Sequence, residues 1–197
     1  MIGICAQSRM GKDTVADIIV TQLKIFQKKS FAEELKLLVS NYFGISLSDI
    51  EEYKPQSIHH PNLNMSVRST LQLIGETFRQ VNSNVWVNAA MKNKTQNVIF
   101  TDVRHANEIE AILSHEGKLI LLGRTKYINM DPHPSESGVK DAIIWFLQNT
   151  HENCVKIKKY TDIPEEYQKF SYFIRNDGTM KDLTDSIHCI LKDLSYM

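Results

Sequence analysis

The first residues with recognisable chemistry are Gly11 and Lys12, which lie between an apolar run and an amphipathic pattern. A strand, a tight loop, Gly-Lys and a helix present backbone N–H groups and one lysine to phosphate oxygens. The spacing from Ala6 to Lys12 keeps the register of a phosphate-binding loop, in which the lysine reaches the β- and γ-phosphates. We therefore predict that nucleotide phosphates are bound by Ser8, Arg9, Met10, Gly11, Lys12, Asp13 and Thr14. The alternative is a chance Gly-Lys pair at the start of a helix.

Two positions of this loop differ from the usual pattern. Ala6 stands in place of the first glycine, which is a small change. Asp13 occupies the position at which Ser or Thr normally contacts Mg²⁺, and a carboxylate is itself a hard oxygen ligand for that ion. Thr14 can still hydrogen-bond a phosphate oxygen. The sequence therefore predicts that Asp13 is a ligand to Mg²⁺, directly or through water.

A second set of candidates follows a helical spacing in residues 66–79, which read SVRSTLQLIGETFR. An apolar stripe, expected to face the core, consists of Val67, Leu71, Ile74 and Phe78. A second stripe, one position further on, consists of Arg68, Gln72, Gly75 and Arg79. Because a glycine inside a helix costs about 1 kcal/mol relative to alanine, we interpret Gly75 as space for a flat ligand such as a nucleobase. Arg68 could hold a phosphate and Gln72 a base edge; the alternative is a solvated polar border.

Charged residues also follow the apolar run at 98–101. Asp102 and Arg104 come just after it, and Glu108 lies one helical turn beyond Arg104. Ligands of open parallel sheets bind outside the carboxyl ends of the strands, so Asp102 could bind the water shell of Mg²⁺, orient a substrate hydroxyl or act as a base. We predict that Arg104 steadies a transferring phosphoryl group and that Glu108 orients this arginine. The alternative is a helix-capping aspartate beside a surface arginine.

Two more segments are expected at the same edge of the sheet. Arg124 ends the apolar run at 118–123 and could place a cation over the phosphates. Asn176, Asp177 and Gly178 follow a further apolar run, and in a nucleotide-binding fold such a loop often abuts the donor base. We therefore predict that these three residues contribute to donor binding; the alternative is an ordinary turn.

The elements that must position these residues alternate along the chain. Strand-like runs occupy residues 1–5, 29–32, 98–101, 118–123 and 172–175, and helical periodicity fills most of the intervals. Continuous apolar strands between amphipathic helices predict a parallel sheet covered on both faces. Residues 45–65 are expected to form a loop with a short helix near Ser48, and residues 139–171 to hold one helix. The predicted fold class is α/β in a single domain.

The composition narrows the functional classes. The 197 residues carry 23 basic and 23 acidic side chains, and this absence of net charge argues against nucleic-acid binding. The apolar runs are too short to span a membrane, and no signal peptide is expected. Cys5, Cys154 and Cys189 lie far apart, which is typical of a protein from a reducing compartment. We therefore expect a cytoplasmic protein without a nucleic-acid or membrane partner.

Taken together, the chain resembles the deoxynucleoside monophosphate kinases of tailed phages, within the P-loop kinase superfamily. The matching stretches, in family order, are GKDT (11–14), FAEELK (31–36), VRSTLQLIGE (67–76), VW (85–86), DVRHANE (102–108), HPSE (133–136) and NDG (176–178). Asp13 agrees with this family, whereas Ala6 and Ser8 depart from it and residues 139–171 exceed its usual lid. The resemblance implies a three-layer α/β/α fold with a five-stranded parallel sheet, and often a homodimer. It also implies an acceptor-binding region at about 33–95 and a lid at about 124–170.

This resemblance implies a reaction, the transfer of the γ-phosphoryl group of ATP to a deoxynucleoside 5′-monophosphate with Mg²⁺ as cofactor. Lys12, Arg104 and Arg124 would be the catalytic cations. The residues implied around the acceptor nucleotide are Lys36, Arg68, Gly75, Trp86, Asp102, Arg104 and Glu108, to which the helical stripe adds Gln72 and Arg79. Two alternatives stay open: a kinase for another small acceptor such as dephospho-coenzyme A, and a nucleotide-binding module without activity. A viral member would act in the cytoplasm of its host.

Overall fold

The computed structural model describes residues 1–54, 59–92, 97–128, 139–159 and 161–196. Within these ranges the strands are β1 (Ile2–Cys5), β2 (Gln27–Lys29), β3 (Val98–Val103), β4 (Lys118–Gly123), β5 (Cys154–Lys156) and β6 (Tyr172–Arg175). The α-helices are α1 (Lys12–Gln22), α2 (Glu33–Phe43), α3 (Leu47–Tyr53), α4 (Val67–Val81), α5 (Val85–Met91), α6 (Ala106–Leu113), α7 (Lys140–Asn149) and α8 (Met180–Asp193). None of the helices in these ranges has the length and hydropathy needed to cross a membrane.

The chain divides into two compact units. The sheet unit consists of Met1–Ser30 and Thr95–Met197 and contains strands β1 to β6. The helical unit, Phe31–Lys94, contains α2 to α5. Its bounds lie close to the region 33–95 that the sequence assigns to the acceptor, an assignment that stays a prediction.

The strands of the sheet unit lie in the order β2-β3-β1-β4-β6-β5. Neighbouring strands are parallel, except that β5 runs antiparallel to β6. The predicted α/β class is therefore confirmed, but the predicted count of five strands is wrong, because the described residues form six. The additional strand is β5, a three-residue edge strand that is defined by its pairing with β6 and carries little pattern of its own. The second strand ends at Lys29 instead of continuing to residue 32.

Helices cover both faces of this sheet. A Cβ on Gly3 would lie 2.5 Å from Ile112 Cδ1 of α6, and one on Gly123 would lie 3.2 Å from Ile143 Cγ2 of α7. Gly3 pairs with Leu119, and Gly123 points to the same face as Leu119 because side chains alternate along β4. The helices α6 and α7 therefore share one face. The opposite face is also buried, and α1 and α8, which contact each other, cover it to give three layers.

The helical unit has an apolar core of its own. Its buried members are Leu35, Val39, Ile45, Ile50, Val67, Leu71 and Trp86. The short helix predicted near Ser48 is α3. Helix α4 begins after Ser66, whose hydroxyl accepts a 3.1 Å hydrogen bond from the Ser69 N–H group and so caps the helix.

The apolar stripe predicted on α4 faces the core from Val67 to Ile74, which is half-buried and packs against it. Val67 and Leu71 are buried, whereas Phe78 is 38% exposed. The Phe78 ring stacks on Trp86 with 5.5 Å between the ring centroids. The stripe therefore leaves the core towards the end of the helix, where an aromatic neighbour covers part of it.

The three cysteines are free thiols. Cys5 is fully buried in β1, and burial raises the pKa of its thiol well above the usual value. Cys154 is half-buried, and its pKa is raised to about 12, mainly by burial. Both thiols are therefore protonated at neutral pH, and Cys5 acts as a small apolar core residue.

Candidate active site

The loop between β1 and α1 turns through two left-handed residues. Arg9 and Gly11 have φ angles of 65° and 95°, and Gly11 is the N-cap of α1. A side chain at Gly11 would be strained at this φ, and its Cβ would lie 2.5 Å from Asn176 Nδ2. Met10, between the two turning residues, is fully buried and anchors the loop. The chain therefore enters α1 at a helix N-terminus, where backbone N–H groups and the helix dipole favour an anion.

Lys12 and Asp13 are the first two residues of α1. Lys12 Nζ lies 2.7 Å from Asp13 Oδ2, and the exposed fractions of the two side chains are 21% and 68%. An ion pair this close to the surface contributes little to stability, so a phosphate can replace it at low cost. The predicted lysine and aspartate therefore lie together where the loop meets the helix.

The residues at this position fit a magnesium ion held mainly by its substrate. In the described part of the chain, no group of three or more His, Cys, Asp or Glu side chains could hold a metal ion. Proteins usually bind Mg²⁺ through one or two carboxylates together with substrate phosphates and waters. The exposed carboxylate of Asp13, next to the loop, is a donor of that kind.

The carboxyl ends of β2 and β3 bring together two polar side chains. Asp102 lies within β3 itself, one residue before its end, and is half-buried. Ser30, which follows β2, donates a 2.6 Å hydrogen bond from its Oγ to Asp102 Oδ2. The two strands are parallel neighbours, so their ends meet. Sequence reasoning missed Ser30, because the predicted strand at 29–32 included it, whereas β2 ends at Lys29.

Glu108 shapes the turn that follows β3. Its carboxylate is buried, and Oε2 accepts hydrogen bonds from the Arg104 N–H group at 2.8 Å and the His105 N–H group at 3.0 Å. The bond from His105, which is the N-cap residue, forms one half of the capping box at the start of α6. Glu108 thus holds the backbone from which the Arg104 side chain departs, while the catalytic role of Arg104 stays a prediction.

The loop after β6 lies against the phosphate-binding loop. Asn176 Nδ2 donates a 2.9 Å hydrogen bond to the Met10 carbonyl oxygen, and the Asn176 N–H group donates one of 2.8 Å to the Gly123 carbonyl. Gly178 packs against Asp182, which caps α8. The sequence placed this loop beside the donor base, and the structure joins it to the loop predicted to bind the donor phosphates.

Asp177 connects the same loop to the segment after β4. It accepts hydrogen bonds from the Thr125 N–H group at 2.8 Å, from Thr125 Oγ1 at 2.6 Å and from Arg175 Nη1 at 3.3 Å. Burial alone would raise the pKa of Asp177, but these hydrogen bonds outweigh it and hold the pKa below its ordinary value. Asp177 is therefore ionised at neutral pH. Thr125 and Arg175 were both missed by sequence reasoning.

Arg124 lies at the end of β4, as predicted. Its guanidinium carbon is 5.0 Å from the centroid of the Tyr127 ring, a cation–π distance. Residues 129–138, which belong to the region that the resemblance implies as a lid and include HPSE (133–136), lie outside the described residues. The role of Arg124 over the phosphates stays a prediction.

The polar stripe of the helical unit is present on α4. Arg68, Gln72 and Arg79 are half-buried. Arg79 Nη1 lies 3.7 Å from Glu76 Oε2, and on α2 Lys36 Nζ lies 2.5 Å from Glu51 Oε1. The side chains predicted to bind the acceptor thus present cations and one amide from two helices of this unit.

Gly75, within that stripe, has a packing role. A Cβ on Gly75 would lie 3.1 Å from Leu35 Cδ2, which is tighter than an ordinary contact. Trp86 is buried and its Nε1–H group donates a 3.1 Å hydrogen bond to the Gly75 carbonyl. Close helix packing therefore accounts for the glycine, and its assignment to a nucleobase stays a prediction.

Solved structures similar to this chain include two small-molecule kinases. A dephospho-CoA kinase from Campylobacter jejuni is 14% identical with a TM-score of 0.47, and the match covers 99% of this chain and 96% of that one. A shikimate kinase from Bacteroides thetaiotaomicron is 12% identical with a TM-score of 0.41, and the match covers 98% and 97%. No family model and no curated protein matches the chain. Similarity at this level assigns no substrate.

Proposed function

We propose that this chain is a phosphotransferase that moves the γ-phosphoryl group of ATP to a deoxynucleoside 5′-monophosphate. The observation that carries the proposal is the loop from Ala6 to Lys12, whose left-handed Gly11 leads directly into the N-terminus of α1. Backbone N–H groups, the helix dipole and one lysine together favour the β- and γ-phosphates of a nucleotide. The exposed carboxylate of Asp13 supplies a ligand for Mg²⁺ at the same point.

The strand order supports the roles of two arginines. Strand β1, which leads into the loop, lies between β3 and β4 in the sheet. Arg104 follows β3 and Arg124 follows β4. Both arginines therefore come after the carboxyl ends of the strands, at the edge of the sheet where the loop lies. Two cations on either side of the loop are suited to stabilise negative charge that develops on a transferring phosphoryl group.

The proposed chemistry requires positioning more than proton transfer. The attacking oxygen belongs to a phosphate that is already ionised at neutral pH, so no residue has to remove its proton. Lys12 would bind the β- and γ-phosphates, while Arg104 and Arg124 would stabilise the transferring group. Mg²⁺, when bound, would neutralise charge on the same phosphate oxygens.

The choice of acceptor rests on the helical unit and on the family resemblance. Arg68 could hold the acceptor phosphate in a bidentate fork, and Gln72 has the donor and acceptor groups needed for a base edge. Both side chains are half-buried on α4 and so remain partly accessible. Gly75 and Trp86 would contribute by fixing α4 against its neighbours, since they are packed together.

A second candidate is a kinase whose acceptor is a hydroxyl group, as in dephospho-coenzyme A. The observation that favours it is Asp102, whose carboxylate is oriented by Ser30 at the carboxyl edge of the sheet. A hydroxyl, unlike a phosphate, must lose a proton during transfer, and an oriented carboxylate could accept it. This candidate leaves the cations of α4 without a role.

An ADP-release screen tests these proposals. The purified chain would be incubated with Mg²⁺-ATP and each ribo- and deoxyribonucleoside monophosphate, and separately with dephospho-coenzyme A. We expect release with one or more deoxynucleoside monophosphates, and its loss in Lys12→Ala. Lys24→Ala, which changes an exposed lysine just after α1, is the matched control. Release with dephospho-coenzyme A alone would favour the second candidate, and ATP binding without release would indicate a non-catalytic module.

A further inference from the structure

We infer that Asn176 is a positioning residue that holds the phosphate-binding loop in its binding conformation, which makes it a determinant of triphosphate affinity without contact to the base. The inference rests on the proposed function, because it assumes that the loop binds the phosphates of ATP. It differs from the sequence prediction, in which the residues after β6 lie beside the donor base.

The contact is direct and lies at the turn of the loop. Asn176 Nδ2 donates a 2.9 Å hydrogen bond to the Met10 carbonyl oxygen. The same nitrogen would lie 2.5 Å from a Cβ on Gly11, so the amide occupies the space that the glycine leaves open. The side chain of Asn176 therefore both satisfies a loop carbonyl and lies against the loop backbone.

The loop has a reason to need this support. Met10 lies between Arg9 at φ 65° and Gly11 at φ 95°, and a left-handed conformation is unfavourable for a residue with a side chain. Such a conformation persists only where surrounding contacts over-determine it. The buried Met10 side chain supplies one of these contacts and the hydrogen bond from Asn176 supplies another.

Asn176 is itself held on both sides. Its N–H group donates to the Gly123 carbonyl, which extends the pairing of β6 with β4 by one residue. Arg175, just before it, donates from Nη2 to the Leu147 carbonyl at 2.5 Å and the Thr150 carbonyl at 2.6 Å. Asp177, just after it, accepts two hydrogen bonds from Thr125. A side chain on so constrained a backbone is suited to fix the position of another loop.

Two substitutions remove the amide donor in different ways. Asn176→Ala removes the whole group. Asn176→Asp keeps the shape, lacks a donor when ionised and regains an O–H donor to Met10 when protonated. Asn149→Asp is the matched control, because Asn149 Nδ2 also donates to a backbone carbonyl, that of Trp145 at 2.8 Å, on the exposed surface of α7. Thermal midpoints of all variants would report any general loss of stability.

The measurement is the dissociation constant of each of two probes in the presence of Mg²⁺. One probe is ATP, and the other is inorganic tripolyphosphate, which has no base. We expect Asn176→Ala to weaken both probes by about tenfold, which is the scale of one lost hydrogen bond. For Asn176→Asp at neutral pH, where the introduced carboxylate is ionised and donates no hydrogen bond, we expect a loss at least as large. Asn149→Asp should bind both probes as the wild type does.

Several outcomes would overturn the inference. Unchanged tripolyphosphate binding in Asn176→Ala, with weaker ATP binding, would show that Asn176 contacts the nucleoside instead. Wild-type binding of both probes by Asn176→Ala would mean that any defect of Asn176→Asp is charge repulsion only. Failure of the wild type to bind either probe would remove the proposed function together with this inference, whereas wild-type binding with unaffected variants removes the inference alone.

Discussion

Ser30 Oγ donates a 2.6 Å hydrogen bond to Asp102 Oδ2 at the carboxyl ends of two neighbouring parallel strands. The bond fixes the direction of a half-buried carboxylate at the edge of the sheet where α/β proteins bind ligands. An oriented carboxylate can either position a substrate or accept a proton from it, and the two roles respond differently to the loss of its partner.

Ser30→Ala should therefore separate the two candidate acceptors. With a monophosphate acceptor, we expect the KM for that acceptor to rise by up to about tenfold through lost positioning, with kcat within about twofold of wild type. Steady-state kinetics between pH 6 and 9 would measure both constants. A fall in kcat with an altered pH profile would instead identify Asp102 as a base. Ser114→Ala is the control, because Ser114 is exposed just after α6 and its Oγ has only local neighbours at hydrogen-bond distance in the described residues, the Ala111 carbonyl at 2.9 Å and His115 Nδ1 at 3.2 Å.

Asp13→Asn should change the dependence of activity on Mg²⁺. The substitution keeps the shape of the side chain and removes the negative charge that makes it a good ligand for a hard cation. We expect lower activity and a higher Mg²⁺ concentration at half-maximal rate, measured by titrating Mg²⁺ at fixed ATP. Asp17→Asn, which changes an exposed residue further along α1, is the comparison. An unchanged Mg²⁺ requirement would mean that Asp13 acts only at the helix N-terminus.

Arg68→Ala should weaken the acceptor and spare the donor. A charge-assisted contact to a phosphate is worth about 1.5–3 kcal/mol, so the KM for the monophosphate should rise about ten- to a hundredfold. The KM for ATP should stay nearly constant, because the donor phosphates are assigned to Gly11–Thr14. Lys92→Ala, an exposed cation after α5, controls for the loss of charge. A rise in the KM for ATP alone would reverse the two assignments.

Gly75→Leu should destabilise the helical unit. A Cβ at this position already lies 3.1 Å from Leu35 Cδ2, so a branched side chain would overpack the contact between α2 and α4. Overpacking of this kind typically costs about 1–3 kcal/mol, and we expect a lower midpoint of thermal unfolding. Leu73→Ala, at an exposed position of the same helix, should have little effect. An unchanged midpoint together with weaker monophosphate binding would restore Gly75 as space for a base.

Asp193→Asn should lower stability most strongly near neutral pH. Hydrogen bonds from Lys156 and Tyr172 hold the pKa of Asp193 below its ordinary value, while burial and the bond to Asp193 raise the pKa of Tyr172. A depressed carboxyl pKa stabilises the fold above about pH 4, and this stabilisation is lost as the pH falls through the lowered value. A raised tyrosine pKa stabilises the fold below about pH 10, and this is lost as the pH rises through the raised value.

The difference in thermal midpoint between wild type and Asp193→Asn should therefore be largest between about pH 4 and 10 and should shrink on both sides. Asp185→Asn, at an exposed position of the same helix, is the control. A difference that stays constant from pH 3 to 7 would show that ionisation of Asp193 contributes nothing to the stability of the fold.

Sequence alone determined the features that depend on residues close together in the chain. Gly11, Lys12 and Asp13 are consecutive, so the turn and the helix N-terminus that follow β1 could be predicted from their order. Helical spacing predicted that Val67 and Leu71 face the core, and continuous apolar runs predicted a parallel sheet with helices on both faces, from which the antiparallel edge strand β5 departs. These are local patterns, because backbone geometry sets the periods of 3.6 and 2 residues that they follow.

Only the tertiary structure decided which distant residues meet. Ser30 and Asp102 are 72 positions apart, and Asn176 and Met10 are 166 apart. The first contact depends on β2 lying beside β3, and β5 exists as a strand only through its pairing with β6. The close contact between Gly75 and Leu35 joins helices α4 and α2, and the helical spacing around Gly75 does not predict it. Strand order and helix packing are set by the burial of the whole core, and no short window of sequence contains that information.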